Sequence, residues 1–228
     1  MQNLPRHAAL FAAVLTAFCA GAALPAHAQD MTHSEPMLPD DATRIAAVSG
    51  TLFDTTGAPV LGNPEGSITL VEFFDYNCHF CRRNLTSVEN LVAGDGRIRV
   101  ILREWPIMGA DSVAVARLSL ASRLQGKYAE FHHALMAQRG KANRALALRI
   151  AREIGLDSDR LERDAAQPWV DRHLEQSLEM GRALDLRGTP SWIIGDRAIF
   201  GFMSGGDLQE VLAETPAETL TDPRTDAQ

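Results

Sequence analysis

The chain has 228 residues, 46% hydrophobic and 22% charged, which suits one folded domain, or one carrying an insertion, and excludes general disorder. Lys and Arg number 22 against 29 Asp and Glu, a net charge of −7. An acidic chain without a basic run argues against nucleic acid as a partner.

The first 28 residues read as a targeting segment. Arg6 gives a weakly basic start, Ala8 to Leu24 is uncharged and Ala-rich, and Ala26-His27-Ala28 matches the small-x-small rule of a signal-peptidase site. The apolar run is alanine-heavy and short for a membrane span of ~20 residues, so cleavage after Ala28 is expected instead of an uncleaved anchor. Cys19 follows Phe18, not the small residue that precedes a lipoprotein cysteine, and would leave with the peptide. Cleavage removes one Arg and no acid, leaving 21 Lys and Arg against 29 Asp and Glu, or −8. The mature chain would keep Cys78 and Cys81 in an oxidising compartment, the periplasm.

Residues 29–58 read as a polar, acidic, Pro-containing linker. Within it Ile45, Val48 and Leu52 recur at the spacing of a short helix, weakened by Gly50. Gly57 to Gly66 reads as an extended entry segment. Ser67 to Asp75 is a strand with apolar residues on both faces, as in a central strand covered on both sides. Asn77 is placed to cap a helix starting at Cys78, with Cys81, Leu85, Val88 and Val92 as its buried stripe. Arg97 to Arg103 is a second strand, completing a βαβ unit.

Helices follow over Asp111 to Gln125, Lys127 to Gln138, Asn143 to Ile154 and Ser158 to Ala165, then a long one from Pro168. The insertion is expected at about 108–166. Ser191 to Ile194 and Arg197 to Phe200 flank Gly195-Asp196 as a hairpin, a last helix runs from Gly206-Asp207 through Leu212, and 215–228 is a polar, frayed tail. The order is βαβ, helices, ββα: one sheet closed by both ends of residues 59–214, with an all-helical subdomain inserted.

The cysteine pair carries the chemistry. A zinc site needs four ligands, yet there is no second cysteine pair and His132-His133 are adjacent. A c-type haem needs His after the second cysteine, where Arg82 stands. A purely structural disulfide would close a very small loop. A C-x-x-C at the end of a strand that feeds a helix is instead the thioredoxin-like signature. Free N–H groups and the helix dipole would stabilise a Cys78 thiolate, and Cys81, further inside, would resolve. His79, if protonated, would favour that thiolate; otherwise it is a solvent-facing His. Phe80 reads as a surface contact for substrate. Glu72 shares a strand face with Ile68, Leu70 and Phe74, where burial would raise its pKa and let it take the proton of Cys81; the alternative is a Glu paired with Arg near a sheet edge. His132, His133 and His173 read as packed or solvated helix residues. Pro190, in Gly188-Thr189-Pro190-Ser191, precedes a strand, where an ordinary trans turn proline would also fit.

Together VEFFDYNCHFC, GTPSWIIG and the helical block resemble the DsbA-like family of exported thiol–disulfide oxidoreductases, over roughly Pro59 to Leu212. The resemblance implies a thioredoxin-like fold, Cys78 as nucleophile, Cys81 as resolving thiol, Glu72 as buried acid and Pro190 as a cis proline, with the backbone at Thr189 free to pair with substrate. It implies no cofactor beyond the redox-active disulfide and no metal. The implied partners are exported proteins with free thiols and a quinone-linked membrane protein resembling DsbB. Residues 43–53 are the only visible candidate for an N-terminal oligomerisation element, and they are short, so a monomer is expected. Two departures touch the direction of electron flow. His79-Phe80 stands where the best-known oxidases carry Pro-His, and Thr189 where they carry Val. A disulfide isomerase or reductase kept reduced by a DsbD-like partner is the alternative within the class. A Cu(I)-handling thiol protein is the alternative outside it.

Overall fold

A computed structural model describes residues 40–221. The expected signal peptide and most of the polar segment after it lie outside the described residues, as do 222–228. Five strands form one sheet in the order β1-β3-β2-β4-β5. β1 is Val60–Gly62, β2 Ile68–Phe74, β3 Ile98–Glu104, β4 Ser191–Ile194 and β5 Arg197–Phe200. β2 and β3 run parallel and are joined by helix α2, His79–Gly94; the other three pairings are antiparallel. Sequence distance conceals this closure: β4 arrives some 120 residues after β2 and pairs with it from Leu70↔Ile194 to Phe73↔Ser191.

The alternating faces of β2 decide what lies on each side. Leu70 and Phe74 face α2 and helix α8, Gly205–Glu214, in one core with Val88, Leu91, Trp192 and Leu208. Val71 and Phe73 face a second core built from helix α1, Asp41–Leu52, and helix α7, Pro168–Ala183, with Ile45, Leu52, Trp105 and Met180. The central strand is therefore apolar on both faces because helices cover both.

Between β3 and α7 lie α3 Ala110–Ser122, α4 Tyr128–Met136, α5 Arg144–Glu153 and α6 Ser158–Ala165. The Asn143 side chain accepts the Leu146 N–H and caps α5. The core does not stop at this block. Val115, Phe131, Leu135 and Ile150 belong to the same cluster as the α2 face of the sheet.

Three expectations change. Residues 40–58 are no linker: Asp40 caps α1, and Ile45, Leu52, Phe53 and Ala58 are core. Arg103, at the end of β3, is buried beneath them and donates to the carbonyls of Thr51, Leu52 and Asp54, which satisfies the end of α1. The entry segment contains β1, an edge strand too short to show a period. The tail is ordered through Thr221: Leu220 is buried and its carbonyl accepts the Thr69 N–H at 2.8 Å.

Two glycines are required by space. Gly195 turns the β4–β5 hairpin at φ +62°, and a Cβ there would meet Thr215 at 2.5 Å. Gly181 of α7 lies flat on Trp105, whose ring atoms would stand 2.7 Å from a Cβ. Gly181→Ala is expected to destabilise the fold by about 1–3 kcal/mol, read from the midpoint of urea unfolding, because an aromatic ring wedged between α7 and β3 has nowhere to move.

Candidate active site

The site forms where β2 ends. Asp75 shapes the turn: one carboxylate oxygen accepts the Asn77 N–H at 2.7 Å, and the other accepts the Met108 N–H at 2.9 Å, tying the turn to the segment after β3. Asn77 does not cap the following helix. The N-cap of α2 is Cys78, and the helix starts at His79. The Asn77 amide instead donates to Ser112 Oγ and the Ala142 carbonyl, both at 3.0 Å, and accepts the Ala142 N–H at 2.7 Å. One side chain next to the cysteine thus clamps the turn to two segments of the helical block.

Cys78 is itself the N-cap residue, with no side-chain hydrogen bond capping the helix, so its sulfur lies by the open first turn of α2. Its pKa is lowered from 9.0 to about 5. The hydrogen bond from the Cys81 thiol is the largest cause; burial opposes it, and the Thr189 side chain and the N–H groups of Cys81 and Phe80 reinforce it. In the neutral form the Cys78 thiol donates to the Thr189 carbonyl at 3.1 Å. Cys81 sits one turn deeper and its thiol is pushed strongly up, first by burial, then by donating to Cys78, then by the charge of Glu72. Two thiols three residues apart are thereby split into a ready thiolate and a held proton. Carbamidomethylation of the reduced protein by iodoacetamide is expected to report Cys78 with a midpoint near pH 5, against one near the ordinary thiol value in urea. A folded-state midpoint near 8 would contradict the capping geometry.

Glu72 is buried in the middle of the central strand, opposite Trp192 of β4 and Leu102 of β3. It is not at a sheet edge. Burial chiefly, and the negative charge of Cys78 next, raise its pKa from 4.5 to about 8, so the carboxyl holds a proton at neutral pH. Across the site the Thr189-Pro190 peptide bond is cis, and Pro190 opens β4. Thr189 is half-buried and touches Cys78 through its carbonyl.

His79 and Phe80 face solvent, Phe80 at 50% exposure, and their rings meet edge-on at 5.8 Å. His79 is not among the principal groups that lower Cys78; backbone N–H groups and Thr189 fill the role expected of it.

The geometry is a strand-to-helix dithiol facing a cis proline on a five-stranded sheet. The family model of the DSBA-like thioredoxin domain matches residues 69–215, most of the described chain. The chain belongs to the DSBA-like thioredoxin-domain family. It is 49% identical to a thioredoxin-like oxidoreductase from Silicibacter pomeroyi DSS-3, with a TM-score of 0.70 over 73% of this chain and 95% of that one. The thiol-disulfide exchange protein alpha-DsbA2 from Wolbachia pipientis is 30% identical, with a TM-score of 0.71 over 76% of this chain and 95% of that one. Among curated relatives, the Na(+)/H(+) antiporter NhaA 1 of Salinispora arenicola (strain CNS-205) is 26% identical over 171 residues, 74% of this chain and 26% of the antiporter. The DsbA-like chain thus spans about a quarter of the length of the curated relatives it matches.

A buried polar chain behind the DsbA-like site escaped the sequence reading. The Tyr76 hydroxyl, two residues before Cys78, hydrogen-bonds with Ser119 Oγ at 2.5 Å and His132 Nδ1 at 3.0 Å. Tyr128 donates to Glu104 Oε1 at 2.7 Å, and His173 Nε2 lies 3.0 Å from the other Glu104 oxygen. Burial pushes His132 down to about 3, so it stays neutral. Two helices of the insertion, α3 and α4, meet α7 and β3 here. No sequence spacing links Tyr76, Ser119 and His132, so no local signal could have grouped them.

Proposed function

We propose that this chain is a periplasmic dithiol oxidase that places disulfides in exported proteins through Cys78 and Cys81. The observation that carries the reading is the position of the Cys78 sulfur at the N-cap of α2, under the N–H groups of Phe80 and Cys81 and beside Thr189. A folded pKa of about 5 lies below the ordinary 9.0, so the reduced fold gains stability as pH rises from about 5 to about 9 and loses it as pH falls through about 5. The disulfide form lacks this contribution. At neutral pH the pair therefore favours the dithiol, which makes its disulfide an oxidant.

The cycle follows. A substrate thiolate attacks Sγ of Cys78 in the disulfide; the S–S bond breaks, and Cys81 leaves with the electron pair. The protonated Glu72 carboxyl supplies the proton that the buried Cys81 sulfur takes up. A second substrate thiolate attacks the substrate sulfur of the mixed disulfide, and Cys78 departs as its stabilised thiolate. The substrate is oxidised by two electrons and the pair reduced by two. A quinone-linked membrane protein resembling DsbB takes those electrons and restores the disulfide. Thr189 and Pro190 offer the backbone against which a substrate strand lies, and Phe80 offers an apolar contact beside it. No cofactor beyond the cysteine pair is needed, and the cycle runs in a monomer.

Trapping the thiols in living cells with an alkylating reagent tests the direction. The oxidase reading expects Cys78–Cys81 mostly as disulfide. A pair found mostly as dithiol would overturn it in favour of an isomerase or reductase served by a DsbD-like partner.

A further inference from the structure

The Cys78–Cys81 mechanism leaves unused a groove of about 520 Å³ that starts at His79, the residue after the nucleophile. One wall is the face of α2 carrying His79, Arg82, Arg83 and Glu89; the other is the end of α4 and the loop after it, carrying His133 and Arg139. Three arginines stand against one glutamate, on a chain whose net charge is −7. The single acid is engaged, since His133 Nδ1 contacts Glu89 Oε1. Arg82 is anchored, donating to the carbonyls of Tyr76 and Gly140, and its charge reaches Cys78 and Cys81. Arg83 lies over the ring of Phe202, 4.3 Å from its centroid, and has no acidic partner among the described residues; nor has Arg139. Both guanidinium groups are exposed.

Length selects the kind of ligand. From His79 to Glu89 the α2 wall runs for about 15 Å at ~1.5 Å per residue. That matches about four to five residues of extended chain at ~3.3 Å each, more than a small thiol spans. Charge selects its composition: guanidinium groups without acidic partners, lining a groove that begins at His79, attract carboxylates.

We propose that this groove docks acidic residues flanking the reactive cysteine of a client polypeptide, so that clients with acidic flanks are oxidised in preference to basic ones. The proposal rests on Cys78 being the sulfur that clients attack.

The test uses the oxidised mature protein and two synthetic peptides of equal length. Each holds one cysteine, flanked by Asp and Glu in one and by Lys in the other. Rates of reduction of the Cys78–Cys81 disulfide are followed by acid quench and thiol alkylation. Flanking charges alter the peptide thiols themselves, so the quantity read is the change in the acidic-to-basic rate ratio between proteins. Arg83→Glu with Arg139→Glu is expected to lower that ratio about ten-fold at low salt, and 0.5 M salt to compress it in the parent protein. Arg139→Glu alone, on an exposed side chain, is expected to act in the same direction by a smaller factor. An unchanged ratio, with both peptides still reducing the disulfide, would overturn the docking role and leave the oxidase reading standing. Failure of either peptide to reduce the disulfide would overturn the oxidase reading and the docking role with it. Uncharged iodoacetamide is expected to react with reduced Cys78 equally fast in parent and variant. A parallel loss there would assign the effect to the thiol and overturn docking.

Discussion

Serine in place of Cys78 is expected to abolish disulfide exchange, leaving a reduced model substrate to oxidise at the rate of the oxidant alone. The reason is positional as well as chemical. Sγ of Cys78 stands at the helix N-cap, within reach of Thr189, whereas Cys81 lies one turn inside with 1% of its surface exposed. A substrate sulfur can meet the first and not the second. Cys81→Ser is expected to behave differently. It keeps the outer cysteine and removes the thiol that resolves it, so stable mixed disulfides with clients should accumulate on non-reducing gels. Cys81→Ala would also remove the donor that most stabilises the Cys78 thiolate, so its alkylation midpoint should rise above about 5. Clients captured equally well by Cys78→Ser would reverse the assignment of the two roles.

Glu72→Gln is expected to slow exchange on the order of 10²-fold, the usual contribution of one positioned proton donor or acceptor. The loss should fall on the step in which Cys81 changes protonation, visible by stopped flow as the disulfide opens. Substrate thiol ionisation is common to both proteins, so the ratio of parent to variant rate is the quantity that should vary with pH around 8. The same substitution has an independent thermodynamic signature. The folded pKa of Glu72, about 8, lies above its ordinary 4.5, so its contribution to stability is complete below about 4.5 and is lost as pH rises through about 8. Glutamine cannot ionise. Measured on the oxidised protein, which lacks the Cys78 charge and keeps burial as the cause, the parent should lose stability relative to Glu72→Gln as pH rises above about 4.5. The difference should approach several kcal/mol, since each tenfold change in proton affinity is worth ~1.4 kcal/mol. Urea curves that stay parallel across that range would show that Glu72 is not held proton-bearing by burial.

Local pattern carried the sequence reading a long way where its signals are local. β2 reads as a doubly covered strand because Leu70, Val71, Phe73 and Phe74 fill both faces with apolar groups, and α7 starts at Pro168, a residue suited to a first helical turn. The reading weakened where a residue has two competing partners. Asn77 is a good N-cap by type, yet Ser112 and Ala142, brought close only by the insertion, engage its amide. β1 and α1 were underread for a related reason. Three residues show no period, and the Gly50 helix owes its place to Arg103 and the underside of the sheet.

Which atoms can react was already written in the order of residues: two thiols three residues apart at a strand-to-helix junction, a carboxyl six residues upstream, and a proline before a late strand. Those follow from chain connectivity, which folding cannot change. How each group behaves came from folding alone. Burial under α2, opposite Trp192, sets the proton on Glu72, and a cap left open by Asn77 turns two N–H groups onto Cys78. Pairing of β4 with β2 sets Thr189 beside the sulfur. Charge stabilisation depends on distance and dielectric, and both are fixed by the packing of segments far apart in the chain.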